Sequence, residues 1–169
     1  MNRTKIKAQS GFTLIELMVT TIILTIIISV GVPGLRSLFT KQNIHSTGTL
    51  FARSIQFART EAIKKGVNID VIPVSGTADW SQGWTVEDLT TPDIHPLIRV
   101  FEDLPGSPTF TSTLRDGAAA TTTTLVLKPN GQSETTGSFT MFYPDCSGNN
   151  VLTYTLLISG VLKKTVSRC

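Results

Sequence analysis

An α+β fold, with one long N-terminal helix followed by an antiparallel β domain, is what this 169-residue sequence predicts. Three observations lead there. Leu17 to Leu35 is an apolar run without a charged residue, apolar positions then recur every three or four residues as far as Gly66, and beyond Gly66 the period drops to two in short runs bounded by Gly and Pro. The length suits one ordinary domain of roughly 100 to 150 residues plus an appendage.

The apolar run comes first. Nineteen residues of helix at about 1.5 Å each reach roughly 28 Å, close to the hydrocarbon thickness of a bilayer, so the segment is long enough to span one. A secretory signal peptide shares the basic start, here Arg3, Lys5 and Lys7, but has a shorter apolar stretch ending at a small-residue cleavage site. In this chain the small residue, Gly11, precedes the apolar stretch. The anomaly is Glu16, a carboxylate close to the start of the run. A mid-membrane acid costs an isolated helix roughly 2.5 to 3.5 kcal/mol, and less near the end. Two readings are open: the carboxylate snorkels to the interface, or a cation from outside this chain meets it. Pro33 lacks a backbone donor, so local melting or a kink is expected over Ile28 to Pro33.

The second half of the helix is amphipathic. Phe51, Ile55, Ala58 and Ala62 share one face, with Arg53, Arg59 and Lys64 elsewhere. Its basic residues fit a solvated face better than a membrane or DNA contact. Lys64 and Lys65 suit the C-terminal end of the helix dipole and Gly66 a left-handed cap, so the helix should stop there.

The strands follow. Val67, Ile69 and Val71 alternate with Asn68 and Asp70, and further strands are expected around Trp84 to Glu87, Leu97 to Phe101, Leu125 to Leu127, Ser138 to Phe142, Val151 to Ile158 and Val161 to Ser167. The turn signals "PDIHP", "LPGSP", "KPNGQ" and "CSGNN" separate them. The low-complexity tract Arg115 to Thr124 is expected to be a mobile loop. Trp80 and Trp84 bracket a "SQG" turn with Asp79, Glu87 and Asp88 nearby; an aromatic platform for nucleic-acid bases wants basic neighbours, so these indoles are expected in the core.

Charge is banded. With Arg3, Lys5 and Lys7 set aside, the remaining fifteen-less-three bases equal the twelve acids, so the chain from Phe12 onward is neutral. Six bases lie between Arg36 and Lys65 against Glu61, and eight acids between Asp70 and Asp116, expected to form a solvated surface, against Arg99 and Arg115. The two cysteines, Cys146 and Cys169, read as one disulfide in an oxidising compartment or, failing that, as free thiols; the bridge would be worth about 3 kcal/mol by loop-closure entropy. No catalytic or cofactor signature is present: His45 and His95 are far apart, no metal-ligand spacing links them to the cysteines, and phosphate-binding or nucleophile motifs are missing. The chain is expected to be neither an enzyme nor a metal or cofactor protein.

The string "GFTLIE", Gly11 to Glu16, after a short basic leader and before about twenty apolar residues, resembles the class III signal of type IV prepilins and type II secretion pseudopilins. The resemblance implies residues 1–11 as a leader cut after Gly11 by a prepilin peptidase, Phe12 as the N-methylated terminus, and Glu16 as a partner for the amine of a neighbouring subunit's Phe12. It also implies Pro33 as the family's helix-perturbing proline. Residues 12–34 would be the transmembrane and assembly helix in a bacterial inner membrane, 35–66 its amphipathic continuation, and 67–169 a β domain in the periplasm, with other pilins or pseudopilins as partners in a filament. "FARSIQFARTEAIKKG", "WSQGWTV" and "LKPNGQ" with the later "LLISG" are similar to one branch, the H pseudopilins of type II secretion and the FimT and FimU minor pilins. Its fold is a long helix under an antiparallel β domain. FimT-like proteins that take up DNA carry a Gly-Arg-x-Arg motif; here Gly160 is followed by Val161, Leu162 and Lys163, so the first arginine is lost. Lys163, Lys164 and Arg168 are the candidate DNA contacts, and three phosphate contacts would give a shallow salt slope of about −3. Period-two alternation puts Lys163 and Lys164 on opposite faces.

Overall fold

A computed structural model of the chain describes residues 12–88, 90, 96–102, 104–116, 120–144, 148 and 150–169. Among the described residues one helix, α1 (Leu14–Lys65, 52 residues), precedes nine strands: β1 (Ile69–Pro73), β2 (Trp84–Glu87), β3 (Leu97–Phe101), β4 (Thr109–Asp116), β5 (Ala120–Thr122), β6 (Leu125–Leu127), β7 (Thr135–Phe142), β8 (Val151–Leu156) and β9 (Leu162–Ser167). Two compact units divide the chain between Leu38 and Phe39.

In the second unit α1 buries a stripe of Ile44, Thr47, Phe51, Ile55, Ala58 and Ala62, the spacing that puts side chains on one helical face. The helix stops where Gly66 turns to φ +69° and its N–H reaches the carbonyl of Ala62 at 3.0 Å. Only glycine takes that backbone angle without penalty, and Lys64 and Lys65 in the last turn complement the dipole.

Two antiparallel sheets follow, in the order β3-β2-β1-β6 and β5-β4-β7-β8-β9. Both supply the core from alternate positions: Trp84 and Val86 from β2, Phe110 and Leu114 from β4, Phe139 and Met141 from β7, Leu152, Tyr154 and Leu156 from β8. At the centre is Phe51 of α1. Its ring lies 5.3 Å from Trp84, 5.0 Å from Phe110, 4.7 Å from Phe139 and 5.7 Å from Tyr154, so one helical side chain joins both sheets. Both indoles are buried and satisfied, Trp80 Nε1 donating to Ser112 Oγ at 2.9 Å and Trp84 Nε1 to Ser54 Oγ at 2.8 Å. One turn before Phe51, Gly48 lets the second sheet come close: a Cβ there would stand 2.6 Å from the Tyr154 hydroxyl and 2.7 Å from Leu152 Cδ1.

Three expectations are corrected. The tract Arg115 to Thr124 is not wholly a loop: Arg115 and Asp116 end β4, Ala120–Thr122 form β5, and the two strands pair with Leu114 opposite Thr122. Threonine runs are simple in composition yet strongly β-favouring, because branching at Cβ suits the pleated backbone. The helix is unbroken through Ile28 to Pro33, so the expected melting is not seen in the isolated chain; bonded turns on both sides carry the position where the donor is missing. Finally, the acidic band is not all solvated. Asp70 and Asp88 are each only 8 % exposed.

Candidate functional site

The first candidate is the start of α1. Thr13 caps the helix: its Oγ1 accepts from the N–H of Glu16 at 3.3 Å, and its carbonyl accepts from the N–H of Leu17 at 3.2 Å. Glu16 is therefore the third residue of the first turn, where free N–H groups and the positive end of the helix dipole favour a negative charge. The sequence reasoning missed Thr13, although "TLIE" has the spacing of a capping box. Leu14–Val32 is long and apolar enough to cross a membrane, and none of it is buried within the chain. Its hydroxyls are satisfied internally: Thr20, Thr21, Thr25 and Ser29 donate to the carbonyls of Leu17, Met18, Thr21 and Ile26 at 2.8 to 2.9 Å. Phe12 is 77 % exposed. Gly11, the candidate cleavage residue, lies outside the described residues.

The second candidate is the C-terminal hairpin. β8 and β9 pair with Leu152 opposite Val166, Tyr154 opposite Lys164 and Thr155 opposite Lys163. Leu152 and Tyr154 belong to the core under α1, so Lys164 and Val166 share that side and Lys163 points the other way. Arg168 borders a recess with Phe142 and Val151 on the same side as Lys163, but five residues of strand, roughly 17 Å, separate the two. The three candidate cations thus do not converge on one patch. The β8–β9 turn is fixed by Gly160, at φ +72° and in close approach to the carbonyl of Gly131, which also accepts a 2.7 Å hydrogen bond from Arg59 Nε of α1. Cys146 lies outside the described residues, whereas the N–H of Cys169 donates to the carbonyl of Gly148 at 3.0 Å, two residues from it.

A groove of about 380 Å³ runs between α1 and this hairpin, bordered by Ala52, Arg53 and Gln56 on the helix and by Leu162 and Lys164 on β9. Elsewhere, acids gather on the face of the first sheet turned from the core. Asp70 stands opposite Glu87, and its carboxyl is pushed up to about 6, mainly because burial penalises its charge and further because Glu134, Glu87 and Asp88 repel it. Asp88 moves the opposite way, held down chiefly by the Thr90 hydroxyl and also by Lys65 at 3.6 Å. No group of three or more His, Cys, Asp or Glu able to hold a metal occurs among the described residues. His45 is exposed on α1, and His95 lies outside the described residues.

A capped, apolar N-terminal stretch thus runs on, in one helix, into the half that buries its face against the antiparallel β domain. The sequence matches the family described as "Type II transport protein GspH" over residues 47–161 and the "Prokaryotic N-terminal methylation motif" over residues 6–32. Among solved structures, the type IV minor pilin FimU of Pseudomonas aeruginosa PAO1 is similar with a TM-score of 0.58 and 18% identity over 75% of this chain and 92% of that one. The minor pseudopilin EpsH from the type 2 secretion system of Vibrio cholerae is similar with a TM-score of 0.51 and 16% identity over 73% of this chain and 97% of that one. No curated protein matches the sequence significantly. The chain belongs to the GspH family of type IV pilin-like proteins, the minor pilins and pseudopilins of type IV pili or type II secretion, whose subunits assemble with one another in filaments.

Proposed function

We propose that this chain is a minor pilin of the FimU and FimT kind, a structural subunit that joins or primes a type IV pilus. The observation that carries the reading is Glu16: its backbone N–H is held by Thr13 in the first turn of an apolar helix that nothing in the chain buries, which leaves its carboxylate available to a cation from another subunit. In this reading a prepilin peptidase cuts after Gly11, Phe12 becomes the methylated N-terminus, and its amine meets Glu16 of the next subunit. Residues 12–34 cross the inner membrane once, Pro33 lies within the assembly helix, and the β domain stands in the periplasm. Cys146 and Cys169 close a disulfide, a reading supported by the bond from Cys169 to Gly148, which stands two positions along the sequence from Cys146.

A second reading, the H pseudopilin of a type II secretion system, is favoured by the family match over residues 47–161. Direct DNA contact through Lys163, Lys164 and Arg168 draws no comparable support, because the three cations are dispersed. Deletion of the gene separates the readings. Lost surface pili and motility with normal exoprotein release supports the minor pilin, and lost secretion with intact pili overturns it in favour of the pseudopilin. Gly11→Val should leave full-length, unprocessed protein on a denaturing gel; normal processing would contradict the leader assignment.

A further inference from the structure

The groove between α1 and β9 has the geometry of a sheet that lacks its last strand. Among the described residues β9 pairs with β8 alone and forms the edge of the five-stranded sheet. Because Gly48 brings Leu152 and Tyr154 of β8 tightly against α1, the helix lies over β8 and leaves β9 overhanging. The consequence shows in burial. On β8 the helix-facing residues Leu152, Tyr154 and Leu156 are nearly inaccessible, while their neighbours on β9 are not: Leu162 is half-buried, Lys164 exposed, and Val166 46 % exposed. An edge strand presents unpaired N–H and C=O groups that template another strand. The adjacent groove supplies space for that strand's side chains. Its electrostatics are one-signed. Arg53 and Lys164 border it from opposite walls, and neither forms an ion pair within 4.0 Å among the described residues.

We propose that the β9 edge and this groove receive an extended segment of another filament subunit, added as a sixth strand, whose groove-facing residues are an acid flanked by two apolar side chains. That pattern mirrors β9, where Lys164 stands between Leu162 and Val166: the acid meets Lys164 and Arg53, and the apolar residues cover the exposed aliphatic surface and Ala52. The naming of the partner rests on the filament reading above. Nucleic acid fits less well, because the border includes Ala52, Leu162 and the Tyr154 ring and its two cations stand on opposite walls instead of tracking a backbone.

The test uses the full chain in cells that assemble the filament, with Gln56→p-benzoylphenylalanine as a photo-cross-linker in the groove wall. The expected result is an adduct to another pilin or pseudopilin, mapped by mass spectrometry to a segment with the apolar-acid-apolar pattern. Its yield should fall at least tenfold in Lys164→Glu and stay within twofold in Lys163→Glu, on the opposite face. An adduct to lipid, to nucleic acid, to this chain itself or to no partner overturns the proposal, as does equal loss in both lysine variants. Glu16→Ala, scored for entry into sheared filaments, reports the filament reading separately, so the failure of one is not mistaken for failure of the other.

Discussion

Replacing Asp70 by Asn should make the β domain more stable at neutral pH and remove a pH dependence that the native chain carries. Asp70 lies on β1 opposite Glu87, is 8 % exposed, and has its carboxyl raised from 3.8 to about 6 by burial and by three neighbouring acids. The folded protein therefore holds this proton more tightly than the unfolded chain, so stability is complete below about pH 4, falls as pH rises towards 6, and stays at the lower level above it. Two pKa units correspond to about 3 kcal/mol as a ceiling, and screening by the water that still reaches the carboxyl cuts this to roughly 1–2 kcal/mol. Urea unfolding of the Phe39–Cys169 unit, native and Asp70→Asn, between pH 4 and 7.5 measures it. The difference between the two proteins should grow by roughly 1–2 kcal/mol in favour of the variant across that range, whatever constant offset the amide adds. A pH-independent difference, or one that grows in favour of the native protein, refutes the reasoning.

Three further outcomes follow from the same packing. Phe51→Ala removes the ring that joins both sheets and should cost about 3–5 kcal/mol, read as a drop in the urea midpoint. Ser54→Ala leaves the buried Trp84 Nε1 without its acceptor and should cost roughly 1–3 kcal/mol, with a shift in indole fluorescence; an unchanged midpoint would contradict that bond. Gly160→Ala forces a side chain into a left-handed backbone and against the carbonyl of Gly131, so it should destabilise by about 1–3 kcal/mol and weaken amide protection in the β8–β9 turn.

Much of this architecture could be read from residue order, because its signals are local. The apolar run with its early acid, the glycine that ends α1, and β2, β3 and β6 with their flanking turns all rest on neighbours within a few positions. What escaped depends on tertiary context. β4 alternates Phe110, Ser112 and Leu114 inward, and Ser112 breaks the apolar pattern because it exists to accept from Trp80, 32 residues away. Asp70 reads as an exposed strand position until Glu87 and Glu134 are brought beside it by pairing. The groove was invisible for the same reason: no stretch of sequence announces that Gly48 draws the helix over β8 and away from β9.

The hydroxyls of the apolar helix bear on how such a subunit changes surroundings. Thr20, Thr21, Thr25 and Ser29 each turn back onto a carbonyl of their own helix. A segment whose polar groups are already spoken for has nothing to renegotiate when acyl chains on its flank are exchanged for the flank of another helix. In the filament reading proposed above, passage from bilayer to fibre would turn on Glu16 and on the fit of aliphatic surfaces, with a single charge setting the register in which the subunit is taken up.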